Sequence, residues 1–149
     1  MDSLAKFPVS LMRQCSTTSS EAEYALVELI QGIHRRVSND EGLALLGKAL
    51  EEVKLDTTDP WVNYCTGGKT NFVLAFMMDG EVTPSMALAD ALTDSWEYHE
   101  RFCDKGYQQT DFYMPIPLLG LACMAKDYGN ELNVQSDFIP QFYIDGDYL

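Results

Sequence analysis

Ser20-Glu21-Ala22-Glu23-Tyr24-Ala25-Leu26-Val27-Glu28-Leu29-Ile30-Gln31-Gly32-Ile33-His34-Arg35-Arg36-Val37 is the stretch whose pattern sets the architecture. Its first four residues form a capping box, in which the Ser20 hydroxyl and the Glu23 carboxylate satisfy the first backbone donors of a helix. Behind the box, Ala22, Ala25, Leu26, Leu29, Ile30, Ile33 and Val37 recur at helical spacing. Arg35 and Arg36 fall in the last turn, where a cation complements the helix dipole. The pattern predicts a helix over about 21–37. Ser38-Asn39-Asp40-Glu41 reads as a second capping box, and Leu43, Leu46, Leu50 and Val53 follow at positions 0, 3, 7 and 10. A second helix over about 40–54 follows, joined to the first so tightly that the two should pack antiparallel.

Downstream, residues 55–70 read as loop, with Asp59-Pro60 and Gly67-Gly68 as its markers. Asn71 to Met78 is an apolar run ended by Asp79-Gly80. Thr70 can cap a helix and Gly80 can end one, so the run reads as helix, with a buried strand as the alternative. Thr83-Pro84 opens a further helix that continues to Lys105 and stops at Gly106. Asp111 to Pro117 is an aromatic, proline-rich connector. Pro117 starts another helix, ending near Tyr128 with Gly129 as a left-handed cap. Leu118 to Ala125 leave that helix almost no polar face, which predicts a central, buried position. Leu132-Asn133-Val134 reads as a short extended piece, and residues 138–144 as a turn of helix or an irregular tail. The fold class expected is a mainly α single domain over 1–149, a bundle of five or six helices with room for one short strand or hairpin.

The chain's 149 residues suit one core. Apolar residues make up 46%, too rich for a disordered chain despite a net charge of −13. That charge repels a phosphate backbone, which argues against direct nucleic-acid binding. No apolar run approaches the ~18 residues of a membrane span. Residues 1–54 carry six basic and eight acidic side chains, and residues 55–149 carry four and fifteen. The negative field therefore belongs to the C-terminal two thirds, for solubility alone or for a partner. Between Lys6 and Arg13 lie six residues, too few for a secretory h-region, so a cytoplasmic protein beginning at Met1 is expected. Cys15, Cys65, Cys103 and Cys123 form no C-x-x-C pair and read as reduced thiols, with Cys103 and Cys123 as small buried hydrophobes.

Three chemical motifs stop short. Thr66-Gly67-Gly68-Lys69-Thr70 looks like the end of a Walker A loop, but the glycine needed five positions before Gly68 is Asn63. A glycine turn before an apolar element is the plainer reading. His99 and Cys103 stand four apart and can both reach a metal, yet two ligands make no zinc site, so no metal or cofactor is expected. Asp145-Gly146-Asp147 is too short for a calcium loop.

The helix after Pro84 is more informative. Asp90, Asp94, Glu97 and Asp104 lie at 0, 4, 7 and 14, with Arg101 at 11. At about 100° per residue they fall within about 40° of one line. Leu88, Leu92, Trp96, Phe102 and Cys103 take the other side, with His99 in their midst. A solvated face is the ordinary meaning of such a strip. The functional meaning is a docking strip whose carboxylates pair with arginines of a basic partner. Tyr143, Asp145, Asp147 and Tyr148 in the tail form another candidate surface, with tyrosine anchors beside steering charges, and the connector stretch Tyr107, Asp111, Phe112 and Tyr113 offers one more of the same kind. The function expected is therefore a non-catalytic acidic protein that neutralises a basic protein partner. By analogy of size and charge, this is the immunity or antitoxin half of a bacterial toxin pair, often opposing a nuclease. Two other classes compete: a small enzyme using carboxylates and His99, and a nucleic-acid mimic that blocks a DNA-processing complex.

Overall fold

A computed structural model describes residues 6–15, 20–102 and 115–146. Among them are seven α-helices and one π-helical turn, without a strand: α1 (Val9–Cys15), α2 (Glu21–His34), α3 (Asn39–Leu55), the π-turn (Val62–Thr66), α4 (Gly67–Met77), α5 (Pro84–Phe102), α6 (Ile116–Asp127) and α7 (Gln141–Asp145). The protein is mainly α. The chain divides into two compact units, 1–66 and 67–149.

In the first unit both arms of the predicted capping box are made. The Glu23 amide donates to Ser20 Oγ at 3.3 Å, and the Ser20 amide donates to Glu23 Oε2 at 3.2 Å. Ser38 caps α3 through the Glu41 amide at 3.3 Å. The helix over 21–37 ends earlier than its periodicity implies, at His34, because the chain turns sharply there. The Arg36 amide donates to Ile33 O and the Val37 amide to Gly32 O, with Arg36 at φ 54°. These two bonds are a Schellman cap, in which the left-handed position usually belongs to glycine. The hairpin is antiparallel, as expected: Lys48 Nζ pairs with Glu28 at 2.6 Å, while Gly32 faces Leu45 one turn further along. Leu29, Ala49 and Val62 are fully buried.

The short helix α1 was not anticipated. Arg13 pairs with Glu21 and lies 4.4 Å over the Tyr24 ring, and Gln31 Nε2 donates to Phe7 O at 2.8 Å. The loop expected over 55–70 is mostly helical. Asp59 Oδ1 accepts from the Trp61 amide at 2.8 Å, and Pro60 then occupies the first helical position, which has no need of an N–H. Trp61 Nε1 donates to Glu23 Oε1 at 2.6 Å, tying this segment to the start of α2.

In the second unit, α4 settles the ambiguous run 71–78 as helix, and Thr70 lies inside it rather than at its cap. Gly67-Gly68 makes no turn. A Cβ at Gly68 would stand 3.1 Å from Ala91 Cα and 3.2 Å from Ala91 Cβ, so this glycine lets α4 and α5 approach backbone to backbone. Phe72, Val73 and Leu88 are fully buried around that crossing. The Met86 amide donates to Thr83 Oγ1 at 3.2 Å, starting α5 where Thr83-Pro84 predicts. Helix α6 starts at Ile116 and ends on the expected Gly129 cap, with φ 86°. It is not wholly internal, however. Leu118, Leu121, Ala122 and Ala125 are buried, while Ile116 is 70% exposed, because its neighbours cover one stripe only. Leu132 and Val134 point inward from an irregular segment rather than a strand. Ser85 Oγ holds that segment, accepting from the Asn133 amide at 3.0 Å, and Gln141 Nε2 donates to Leu132 O at 3.1 Å. Among the described residues no helix is long and apolar enough to cross a membrane.

Candidate functional site

The second unit carries thirteen acidic and four basic side chains, a net of −9. Within it, α4, the link 78–82 and the first half of α5 enclose an open cleft of about 580 Å3. Gly68 and Ala91, where the two helices approach closely, both belong to its lining, as do residues 78–82 of the link. Asp90 and Asp94 line it from α5, one turn apart, and Asp79 and Glu81 line it from the link. Leu74, Ala75, Met78 and Val82 supply apolar wall. No basic side chain is in the lining, and among the described residues no cation pairs with these four carboxylates.

Asp94 is the most constrained of the four. Burial is the main cause that raises its pKa, and the negative charges of Asp90 and Glu97 raise it further. Each cause penalises the ionised form, and a cation placed here would offset the repulsion and favour the carboxylate.

The predicted α5 strip is thus not one uniform face. Asp90 and Asp94 belong to the cleft. Glu97 instead pairs with Arg101 at 2.9 Å, an i,i+4 contact. Asp104 lies outside the described residues. On the opposite side Leu88 and Leu92 are buried as expected, but Trp96 is 42% and Phe102 50% exposed. Trp96 leans on Phe138, 5.2 Å between rings, and covers only part of its surface that way. His99 is half-buried, with its ring edge-on to Tyr98 at 5.6 Å, and burial lowers its pKa.

The tail surface is partly occupied by its own chain. Asp145 pairs with Lys126 of α6 at 2.5 Å and accepts from Gln141 Nε2 at 3.2 Å, which lowers its pKa. Tyr143 stacks on Phe142 at 4.4 Å, and both rings are exposed. Asp147 and Tyr148, and the connector stretch Tyr107, Asp111, Phe112 and Tyr113, lie outside the described residues. Of the thiols, Cys65 is buried, Cys15 exposed and Cys123 half-buried, its pKa raised chiefly by burial; Cys103 lies outside the described residues. Asp79 and Glu81 were missed as site residues. Their sequence signal, an acid-glycine-acid group after an apolar run, is that of an ordinary helix stop.

No curated protein and no solved structure matches the chain. The model of one protein family, described as immunity protein 49, matches residues 1–143. With an all-α body, a negative field concentrated in one unit and that match over nearly its whole length, the chain belongs to the immunity protein 49 family and is an immunity protein of a toxin pair.

Proposed function

We propose that this immunity protein acts without catalysis, in the cytoplasm, by covering a cationic surface of its toxin, and that the toxin is a nuclease. The observation that carries this reading is the cleft rim: four carboxylates and no base, in a unit of net charge −9. A nuclease presents lysines and arginines to phosphate, and an acidic protein meets them with steered, fast association. The predicted contacts Asp90 and Asp94, and the exposed Tyr143, remain the proposed contact residues, with Glu97 and Asp145 weakened as candidates by their own ion pairs.

The test is stopped-flow association with the paired toxin domain across a salt series. Asp90→Lys combined with Asp94→Lys should slow association about tenfold or more at low salt and flatten its salt dependence. Unchanged rates across the series would remove the electrostatic reading. Two controls separate the competing classes. His99→Ala should leave toxin inhibition intact, whereas an enzyme relying on that imidazole would lose it. A nucleic-acid mimic would instead bind a DNA-processing complex in competition with duplex DNA and leave the paired toxin unbound.

A further inference from the structure

The geometry points to the α4–α5 cleft as the seat of one arginine side chain of the partner, its guanidinium held by Asp90 and Asp94 and its stem laid along the apolar wall. This rests on the reading of the chain as a binder of a basic protein, and specifies where and through which side chain.

The volume of about 580 Å3 falls within the ~300–1,000 Å3 typical of small-molecule clefts. It has room for a long side chain and the apolar residue next to it. The lining is divided as such an occupant requires. Carboxylates of a single sign stand at the rim, while Leu74 and Ala75 form wall and Met78 and Val82, 46% and 51% exposed, leave an apolar lip unmatched. A cation on a hydrocarbon stem covers both, because long basic side chains bury their methylenes and keep the head polar. Arginine fits better than lysine. Residues one helical turn apart hold their Cβ atoms about 5–6 Å apart, a span over which a planar five-donor fork can bond both carboxylates with fixed geometry, where an ammonium offers three unoriented donors. The guanidinium is also the more weakly hydrated head, so it loses less on entering a half-buried site. Gly68 adjoins the same carboxylate: a Cβ there would stand 3.6 Å from Asp94 Oδ2, at van der Waals contact.

The probe is N-acetyl-Arg-Leu amide, titrated into the isotope-labelled intact chain and followed by amide chemical shifts. The citrulline peptide of the same shape is the neutral control. Shifts should gather at Gly68, Ala75 and Ala91, and the citrulline peptide should produce none of them. Asp90→Asn and Asp94→Asn should each weaken the arginine peptide about five- to tenfold, the loss of one charge-assisted contact. Ala75→Leu fills the wall without altering a charge and should abolish the shifts. If Ala75→Leu alters the thermal melt, Asp90→Asn, at an exposed position, decides the matter alone. Equal response to the citrulline peptide, shifts spread over the α6–α7 carboxylates, or full binding by Asp90→Asn would each overturn the assignment. Failure of the toxin-neutralising reading registers separately, as an intact chain that does not inhibit the toxin whatever the peptide does.

Discussion

Replacing Gly68 by alanine should destabilise the protein, although alanine is the better helix former. In an exposed helix interior, Gly→Ala gains about 0.8–1.0 kcal/mol. At Gly68 the new methyl would stand 3.1 Å from Ala91 Cα, a backbone atom of a buried residue that cannot swing aside as a side-chain tip can. Overpacking of this kind costs about 1–3 kcal/mol. The net expectation is a loss of about 1 kcal/mol. Gly47 is the internal control: it is exposed, lies in α3, and has nothing within 4 Å of its missing Cβ. Gly47→Ala should therefore gain about 0.8 kcal/mol. Because both substitutions change the unfolded chain alike, the difference of about 2 kcal/mol reports the α4–α5 crossing alone. With an unfolding entropy of about 2.1 cal/mol/K per residue, 149 residues give about 0.3 kcal/mol/K if the chain melts as a whole. The two variants should then differ by about 6 °C in melting temperature, and in urea midpoint with equal slopes. Equal stabilisation at both positions would refute the close-approach argument.

Other outcomes follow from single features. Arg36→Gly relieves a left-handed position that costs an L-residue about 1–2 kcal/mol; after glycine's extra unfolded-state entropy, a gain of about 0.5–1 kcal/mol is expected in chemical denaturation. Ser20→Ala removes one arm of the capping box and should cost about 1 kcal/mol in the same assay, with helix α2 amides exchanging first. Asp94→Asn should raise the melting temperature at pH 7. The folded-state pKa of Asp94 lies above its unfolded value, so its ionised form is disfavoured on folding, and that penalty is fully present above the folded pKa. The advantage of the variant should shrink as pH falls through the folded pKa and be gone below the unfolded carboxylate range. The like-charge i,i+4 component alone is about 0.2–0.5 kcal/mol.

The helices over 21–34, 39–55 and 84–102 were legible because their signals are local, a cap and a period of 3.6 within one segment; the end expected for the third, at Lys105 and Gly106, lies outside the described residues. What was not legible depends on a distant neighbour. Gly67-Gly68 has the same letters whether it turns a loop or admits a crossing helix, and only Ala91 distinguishes the two. Trp96 and Phe102 share the apolar side with Leu88, but a periodic pattern sets a direction, not whether anything waits there. The acidic side of α5 reads in the sequence as one line of carboxylates, of which Asp104 lies outside the described residues. Its division was invisible, since Glu97 is neutralised by Arg101 while Asp90 and Asp94 open onto a cleft built partly by α4. Asp79 and Glu81 reach that rim only because the link folds back between two helices.

One carboxylate stands apart from the surplus. Glu23 accepts from the Ser20 amide on one oxygen and from the Trp61 indole on the other. Glutamine has the same shape but would present its NH2 to one of those two donors, hydrogen against hydrogen, whichever way it flipped. A redesign that trims the excess negative charge to ease purification or crystallisation can choose among exposed carboxylates outside the cleft and the ion pairs, yet must leave this glutamate alone. Its worth lies in having two equivalent oxygens, and its charge is incidental to that.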